Sequence, residues 1–149
     1  MDNMKAFNQR FGYATGDELL KNFVNIMNCA LADFKNDLNF IGHRGEDDFV
    51  IVTSADMAVS IAEKIVDGFD EMVRKYFSDD DLERGYFHVS VKKNIEIRFP
   101  LTTVSLVIIN TQGKYFSHPA ELYDVAEVMM NQVKARGIQQ SYCAVDENT

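Results

Sequence analysis

The sequence predicts an α/β fold in one domain, and three observations lead to that prediction. Three long stretches carry apolar residues at the spacing of an amphipathic helix. Two short β-prone runs, 39–43 and 49–53, flank a polar turn that contains glycine, as in a β-hairpin. The run 102–109 is β-branched and largely apolar, which is typical of a strand. At 149 residues, the chain is long enough for a proper hydrophobic core.

Helices dominate the first half of the prediction. A short helix at the start of the chain ends at Gly12. The second helix begins at Thr15, whose side chain caps it while Glu18 completes a capping box. The third helix begins after Ser54 and continues to Phe77, with apolar residues on one face.

The second half is predicted to contain strands and one further helix. Residues 86–91 and 95–99 are expected to pair across a turn. The run 102–109 is expected to be a central strand covered on both faces, because its apolar pattern has no interruption. A helix over 117–137 and a strand over 141–145 complete the predicted order.

Charge and composition exclude several classes of function. The net charge of −8 argues against a nucleic-acid or anionic-membrane partner, whereas a nucleotide that carries its own magnesium remains compatible. No apolar run is long enough to span a bilayer. Two cysteines, Cys29 and Cys143, fit a reduced cytoplasmic protein, and three scattered histidines form no zinc pattern. We therefore expect a cytoplasmic domain without membrane contact.

The turn of the predicted hairpin carries three consecutive carboxylates, Glu46, Asp47 and Asp48. Adjacent carboxylates repel one another, so they need solvent, a cation or a basic partner. A divalent cation held by the turn is one interpretation, and a solvated acidic turn is the other. The residue types alone favour the solvated turn.

Several motifs in order along the chain make it similar to a known family. They are residues 4–8 (MKAFN for FKxxN), 11–20 (FGYATGDELL for YGxxxGDxxL), 40–50 (FIGHRGEDDFV for xxGRxGGDEFV), 99–106 (FPLTTVSL for FPxTxSIG) and Lys134 (for the lysine of a late AK motif). Together they resemble the GGDEF family, the bacterial diguanylate cyclases that make cyclic di-GMP from two GTP. The resemblance covers roughly Asp2 to Asp146.

The resemblance implies a palm fold related to the nucleotidyl cyclases, with a mainly antiparallel central sheet flanked by helices. It also implies metal-assisted attack of a ribose hydroxyl on an α-phosphate, with Mg²⁺ or Mn²⁺ as cofactor. Asp47 falls at the metal-binding and catalytic position, and Asp48 falls at the neighbouring acidic position of the motif.

The nucleotide-binding positions carried over from the family are Asn8, Asp17, Gly45, Glu46 and Lys134. Asn8 and Asp17 fall where the family reads ribose and guanine, Gly45 and Glu46 where the hairpin approaches phosphate, and Lys134 where a lysine contacts phosphate. Each has a structural alternative: Asn8 caps a short helix, and Asp17 and Lys134 stabilise helix ends.

The chain departs from the family pattern at several positions. GEDDF replaces GGDEF, so Glu46 stands in place of a glycine and Asp48 in place of a glutamate. Arg44 would neutralise Glu46 if it folded over it. Asn36 and Asn39 fall where the family has the arginine and aspartate of its product-inhibition site, so that inhibitory site is expected to be absent. Ile138 replaces a late arginine.

The resemblance places the first metal aspartate of the family two residues before Asp2, at the end of a strand. That position precedes Met1. We therefore expect the first strand of the palm to be missing, and we interpret residues 1–149 as a single GGDEF-like domain from a larger multidomain signalling protein.

These departures predict a degenerate GGDEF domain of cyclic di-GMP signalling that is catalytically inactive. It would act as a regulatory, nucleotide-binding or dimerisation module. Its expected partners are GTP or another guanine nucleotide, a second copy of the chain, and fused or partner signalling domains. Two alternatives remain: an active diguanylate cyclase that condenses two GTP with Mg²⁺, or an unrelated α/β ligand-sensing module.

Overall fold

The computed structural model describes residues 1–34, 36–92, 95–135 and 140–146. The helices are α1 (Met4–Phe11), α2 (Tyr13–Ala32), α3 (Ala55–Val73), α4 (Asp79–Arg84) and α5 (Pro119–Ala135), and a 3₁₀ turn, Arg74–Tyr76, follows α3. The strands are β1 (Phe40–His43), β2 (Phe49–Val52), β3 (Tyr86–Lys92), β4 (Ile95–Pro100), β5 (Ser105–Ile108) and β6 (Tyr142–Val145). The predicted mixed fold of helices and strands is confirmed, in its α+β form.

The strands of the described residues form three separate pairs. β1 with β2 and β3 with β4 are antiparallel, whereas β5 with β6 is parallel. An isolated antiparallel bridge joins Asp2 to Thr103, just before β5. Among the described residues, β5 itself pairs with one strand, β6, and the Asp2–Thr103 bridge precedes its first residue. The side chains of β5 are only partly buried, so the predicted cover on both faces is wrong.

Aromatic side chains fill the core between α1, α2, α3 and the β3–β4 pair. Phe7, Phe69 and Phe87 are fully buried. The ring of Phe7 meets that of Phe77 edge-on at 6.1 Å between centroids, and Phe23 meets Phe69 at 5.3 Å. Because burial of one phenylalanine contributes about 1.5–3 kcal/mol, this cluster is a main source of stability. It holds α1 against the segment after α3, and α2 against α3.

Two details of the helix boundaries differ from the prediction. α2 begins at Tyr13 rather than Thr15, and the Thr15 hydroxyl donates to the Phe11 carbonyl at 2.9 Å instead of capping. The predicted capping box is therefore wrong, because the chain passes directly from α1 into α2 through Gly12. α3 begins after Ser54 as predicted, but its regular part ends at Val73.

Some predicted features lie outside the described residues. They are Lys93 and Asn94 in the turn between β3 and β4, Gly137 at the predicted end of the last helix, and Ile138. In the part of the chain that the structure describes, no helix combines the length and apolar character required to cross a bilayer.

Candidate functional site

The predicted acidic hairpin is present. β1 and β2 pair from Phe40 opposite Val52 to His43 opposite Phe49. The Arg44 amide donates to the Asp48 carbonyl at 2.8 Å and closes the connection between the strands. Gly45 has a φ of +117°, a conformation that side chains disfavour, which explains why glycine is needed in this turn.

Phe49 anchors the hairpin to the core. Its ring stacks on His43 at 4.4 Å and meets Phe23 of α2 edge-on at 5.6 Å. The inward face of the hairpin is thereby held against α2, while the turn projects towards solvent. The position of the acidic residues is thus set by packing on the opposite face of the strand pair.

The turn keeps its negative charge. Glu46 and Asp48 are exposed, whereas the side chain of Asp47 is only 28% exposed. The Arg44 guanidinium lies over the ring of Tyr123 in α5, 4.0 Å from its centroid. Within the described ranges, Arg44 forms no ion pair with Glu46, so the neutralisation that such a contact would give does not occur. A cation–π contact with Tyr123 satisfies the arginine instead.

Asp47 lies next to the first residue of the chain. The Met1 amine donates to the Asp47 carbonyl at 3.1 Å and lies 3.4 Å from the carboxylate oxygen Oδ2. The backbone directly before Asp2 therefore runs beside the acidic turn. This contact links the hairpin to the segment that leads into α1.

Asp2 is a residue that the sequence reasoning did not single out. Its oxygen Oδ2 accepts hydrogen bonds from Ser105 Oγ at 2.6 Å and Thr103 Oγ1 at 3.2 Å. Its other oxygen, Oδ1, lies 3.4 Å from Nζ of Lys134. Thr103 and Ser105 are two positions apart in an extended segment, so their side chains lie on the same face. This spacing of two hydroxyl residues was the signal in the sequence that could have pointed to the site.

Asp2 and Lys134 line a cleft of about 390 Å³. Its walls come from the start of the chain, the segment 100–105, the end of α5 and the start of β6, and they include Asn3, Leu101, Val133 and Tyr142. Lys134 lies in the last turn of α5, as predicted, and its side chain is 53% exposed. The cleft is therefore open, is lined by both polar and apolar groups, and has a lysine at its rim.

Asn8 packs against Gly16, the residue before Asp17, where α1 and α2 meet. Asn8 lies inside α1, so it is not a helix cap. Its amide lies against Gly16, where an added Cβ would be 1.8 Å from Asn8 Oδ1. Asp17, the next residue, is exposed and lies beyond the first turn of α2, so the helix-end alternative for it is wrong.

The side-chain oxygen of Asn8 is buried and has no hydrogen-bond partner among the described residues. A buried polar atom left unsatisfied costs about 1–3 kcal/mol. Such atoms need an explanation, and a ligand that donates a hydrogen bond is one. The residues at this junction therefore form a candidate contact point for a polar ligand.

Asn36 and Asn39 have structural partners. Asn39 Nδ2 donates to the Phe34 carbonyl at 2.7 Å, and its Oδ1 accepts from the Thr53 hydroxyl at 2.7 Å. Asn36 Oδ1 accepts from the Leu38 amide at 3.0 Å. Both amides thus organise the connection between α2 and β1. The absence of the inhibitory site stays a prediction.

The donor set does not fit the Mg²⁺ that the resemblance implies. Mg²⁺ requires near-octahedral oxygen ligands, usually one or two carboxylates with substrate phosphates. Here the Asp2 carboxylate is already engaged by Lys134, Ser105 and Thr103. Among residues 1–34, 36–92, 95–135 and 140–146, no three Asp, Glu, His or Cys side chains converge as metal ligands would.

Asp81 and Cys143 are ionisable groups outside the hairpin whose pKa values are shifted. Burial of Asp81 tends to raise its pKa, but hydrogen bonds from Ser78 and Arg84 and the charge of Arg10 outweigh burial, so the pKa is lowered. Burial raises the pKa of the Cys143 thiol, and the charge of Glu63 adds to the effect. These shifts concern stability and thiol reactivity rather than the hairpin.

Comparison with known proteins gives one match. The model of a family described as "Diguanylate cyclase, GGDEF domain" matches residues 1–140. No significant match was found among curated proteins or among solved structures. The matched span includes the acidic hairpin, the α1–α2 junction, Asp2 and Lys134.

Proposed function

The chain belongs to the GGDEF family of cyclic di-GMP signalling domains, and from that premise we propose that it is a degenerate member that binds a guanine nucleotide without making cyclic di-GMP. Domains of this family generally use Mg²⁺ with GTP and often dimerise. The proposal for this chain is a regulatory module that acts through nucleotide binding, through pairing with a second copy, or through fused or partner signalling domains.

The observation that best supports the proposed loss of cyclase activity is the negative charge of the hairpin turn. Glu46 places a carboxylate where the family has a glycine, next to Asp47 and Asp48. Arg44 is turned away to Tyr123. Each unit of like charge at about 4 Å from a phosphate costs roughly 1 kcal/mol in water and about four times as much near a protein surface. The turn therefore repels a triphosphate.

The observation that supports nucleotide binding is the α1–α2 junction. Asn8 presents a buried oxygen without a hydrogen-bond partner in the described part of the chain, and the exposed Asp17 follows Gly16 directly. An amide oxygen and a carboxylate can accept hydrogen bonds from the amino and imino groups of guanine. In the family's motif, the positions that Asn8 and Asp17 resemble read the ribose and guanine of the nucleotide.

An active diguanylate cyclase is the second candidate. The observation that favours it is the retention of two carboxylates, Asp47 and Asp48, in the turn. The third possibility, an unrelated ligand-sensing module, is wrong, because the family model matches most of the chain and the hairpin is present.

Calorimetric titration with GTP tests the proposal, with ATP as the control nucleotide. We expect weak binding of GTP, and weaker binding of ATP because the Asn8–Asp17 junction selects guanine. Equal affinity for both nucleotides, or no binding of GTP, would contradict the nucleotide-binding part of the proposal.

Variants of Glu46 separate charge from bulk. Glu46→Gly removes both, whereas Glu46→Gln removes only the charge. If repulsion weakens phosphate approach, both variants should bind GTP about fivefold or more tightly than the natural chain. A gain in Glu46→Gly alone would show that bulk is the obstacle. No gain in either variant would show that Glu46 is not the obstacle.

A further inference from the structure

Lys134, the cationic group at the rim of the cleft, already has a resident anion. Its Nζ lies 3.4 Å from Asp2 Oδ1. The carboxylate is held in place because its second oxygen accepts hydrogen bonds from Ser105 and Thr103. The backbone amide of Asp2 also donates to the Thr103 carbonyl at 2.8 Å, which fixes the main chain at this point.

The groups around the Asp2 carboxylate are those that would bind a phosphate oxygen. Two hydroxyl groups and one ammonium group surround an oxyanion that comes from the protein itself. The Asp2 side chain is 18% exposed and Lys134 is 53% exposed, so solvent reaches the pair through the 390 Å³ cleft. An incoming anion can therefore reach Lys134 from outside.

We propose that Asp2 is a built-in counter-ion of Lys134, which the phosphate groups of a ligand must displace before Lys134 can bind them. The inference rests on the proposed function, since it assigns Lys134 to the diphosphate or triphosphate part of the nucleotide. It adds a residue, Asp2, that sets the phosphate affinity of this site.

The pairing has two opposite effects on binding. It holds the flexible lysine in one position next to the cleft, which lowers the entropy lost when a ligand binds. It also places a negative charge beside the lysine, which opposes an incoming phosphate. For a polyanionic ligand the second effect is the larger, because each phosphate group carries charge that Asp2 repels.

Titration calorimetry with inorganic pyrophosphate tests the inference without any guanine. We expect Asp2→Asn to bind pyrophosphate about tenfold more tightly than the natural chain. Adding Lys134→Met to Asp2→Asn should abolish this gain, because the lysine is the group released. Asp2→Ser, which retains a hydroxyl for Ser105, should reproduce the gain and serves as a second variant if Asp2→Asn does not fold.

The matched control is Asp33→Asn. Asp33 pairs with Lys64 at 2.5 Å in an exposed ion pair, so its loss changes net charge and frees a lysine in the same way. This variant should leave pyrophosphate affinity unchanged. An equal gain in Asp33→Asn would show a general charge effect and overturn the inference.

Other results would also overturn it. These are unchanged or weaker pyrophosphate binding in both folded Asp2 variants, or a gain that persists with Lys134→Met. Parallel titrations with GTP distinguish this failure from failure of the proposed function. A gain for pyrophosphate without selective GTP binding would retain the counter-ion role and reject only guanine recognition.

Discussion

Asp81 shows how a single buried carboxylate makes stability depend on pH. Its side chain is 5% exposed, and Arg84 donates to it at 2.8 Å while Ser78 donates at 2.9 Å. These partners hold the pKa below its ordinary value of 3.8 in the folded state. The stabilisation is therefore fully present above pH 3.8 and is lost as the pH falls through the folded-state pKa.

Asp81→Asn should lower the free energy of unfolding at pH 7 by about 1.5–3 kcal/mol, because hydrogen bonds to a charged group are lost. The difference from the natural chain should shrink below pH 3.8, where the natural carboxyl also becomes neutral in the unfolded state. Urea denaturation across pH 2.5–7 measures both effects. Asp80→Asn, an exposed neighbour in α4, should change stability by no more than about 0.5 kcal/mol. A pH-independent difference for Asp81→Asn would contradict the account.

The two cysteines should react at different rates with Ellman's reagent. Cys29 is exposed, whereas Cys143 is partly buried and burial raises its pKa. Since the thiolate is the reactive form, Cys143 should react at least about tenfold more slowly at pH 7.5. Cys29→Ser should remove the fast phase and Cys143→Ser the slow one. Equal rates would show that β6 is more open than the structure indicates.

At the scale of an element, a single side chain, that of Asn39, holds the connection between α2 and β1 in place. Asn39 donates to a carbonyl near the end of α2 and accepts from Thr53 just after β2. The hairpin is thereby tied at its base, while Phe49 ties it to α2 in the middle. The position of the acidic turn follows from these two attachments.

Asn39→Asp restores the carboxylate that the family has in its inhibitory motif, but it should destabilise this chain by about 1–2 kcal/mol. Aspartate can still accept from Thr53, whereas it cannot donate to the Phe34 carbonyl. The matched control is Asn36→Asp, because Asn36 only accepts from the Leu38 amide and the change keeps that bond. Thermal unfolding of both variants tests this, and equal melting temperatures would argue against the structural role of Asn39.

Local sequence patterns predicted the helices and strands better than they predicted the contacts between those elements. The hairpin could be predicted because Gly45 and the flanking apolar runs are adjacent in sequence. The start of α2 could not, because the passage through Gly12 replaced the capping box at Thr15. The Asp2–Lys134 pair joins residues far apart in the chain, so only the folded arrangement reveals it.

At the scale of the whole molecule, the candidate site is divided into two neighbourhoods. Met1 and Asp2 connect the acidic turn to the Lys134 cleft, whereas Asn8 and Asp17 lie further along α1 and α2. The resemblance predicted the positions of Asn8, Asp17 and Lys134, but neither Asp2 nor its pairing with Lys134. Internal partners now occupy Asp2, Asn36 and Asn39.

This arrangement predicts that cyclic di-GMP does not bind to the monomer at micromolar concentrations. The family's product site needs a bidentate arginine, and the resemblance aligns an asparagine, Asn36, with that position. Equilibrium dialysis with labelled cyclic di-GMP measures the binding. Retention of the ligand at micromolar concentration by a monomer would show that the assignment of the inhibitory positions is wrong.

We propose above that the chain keeps the hairpin of a diguanylate cyclase without its chemistry. Incubation with GTP and either Mg²⁺ or Mn²⁺, followed by chromatography and mass spectrometry of the products, tests it most directly. The account predicts no cyclic di-GMP from the natural chain with either metal. Clear, enzyme-dependent formation of cyclic di-GMP would contradict it.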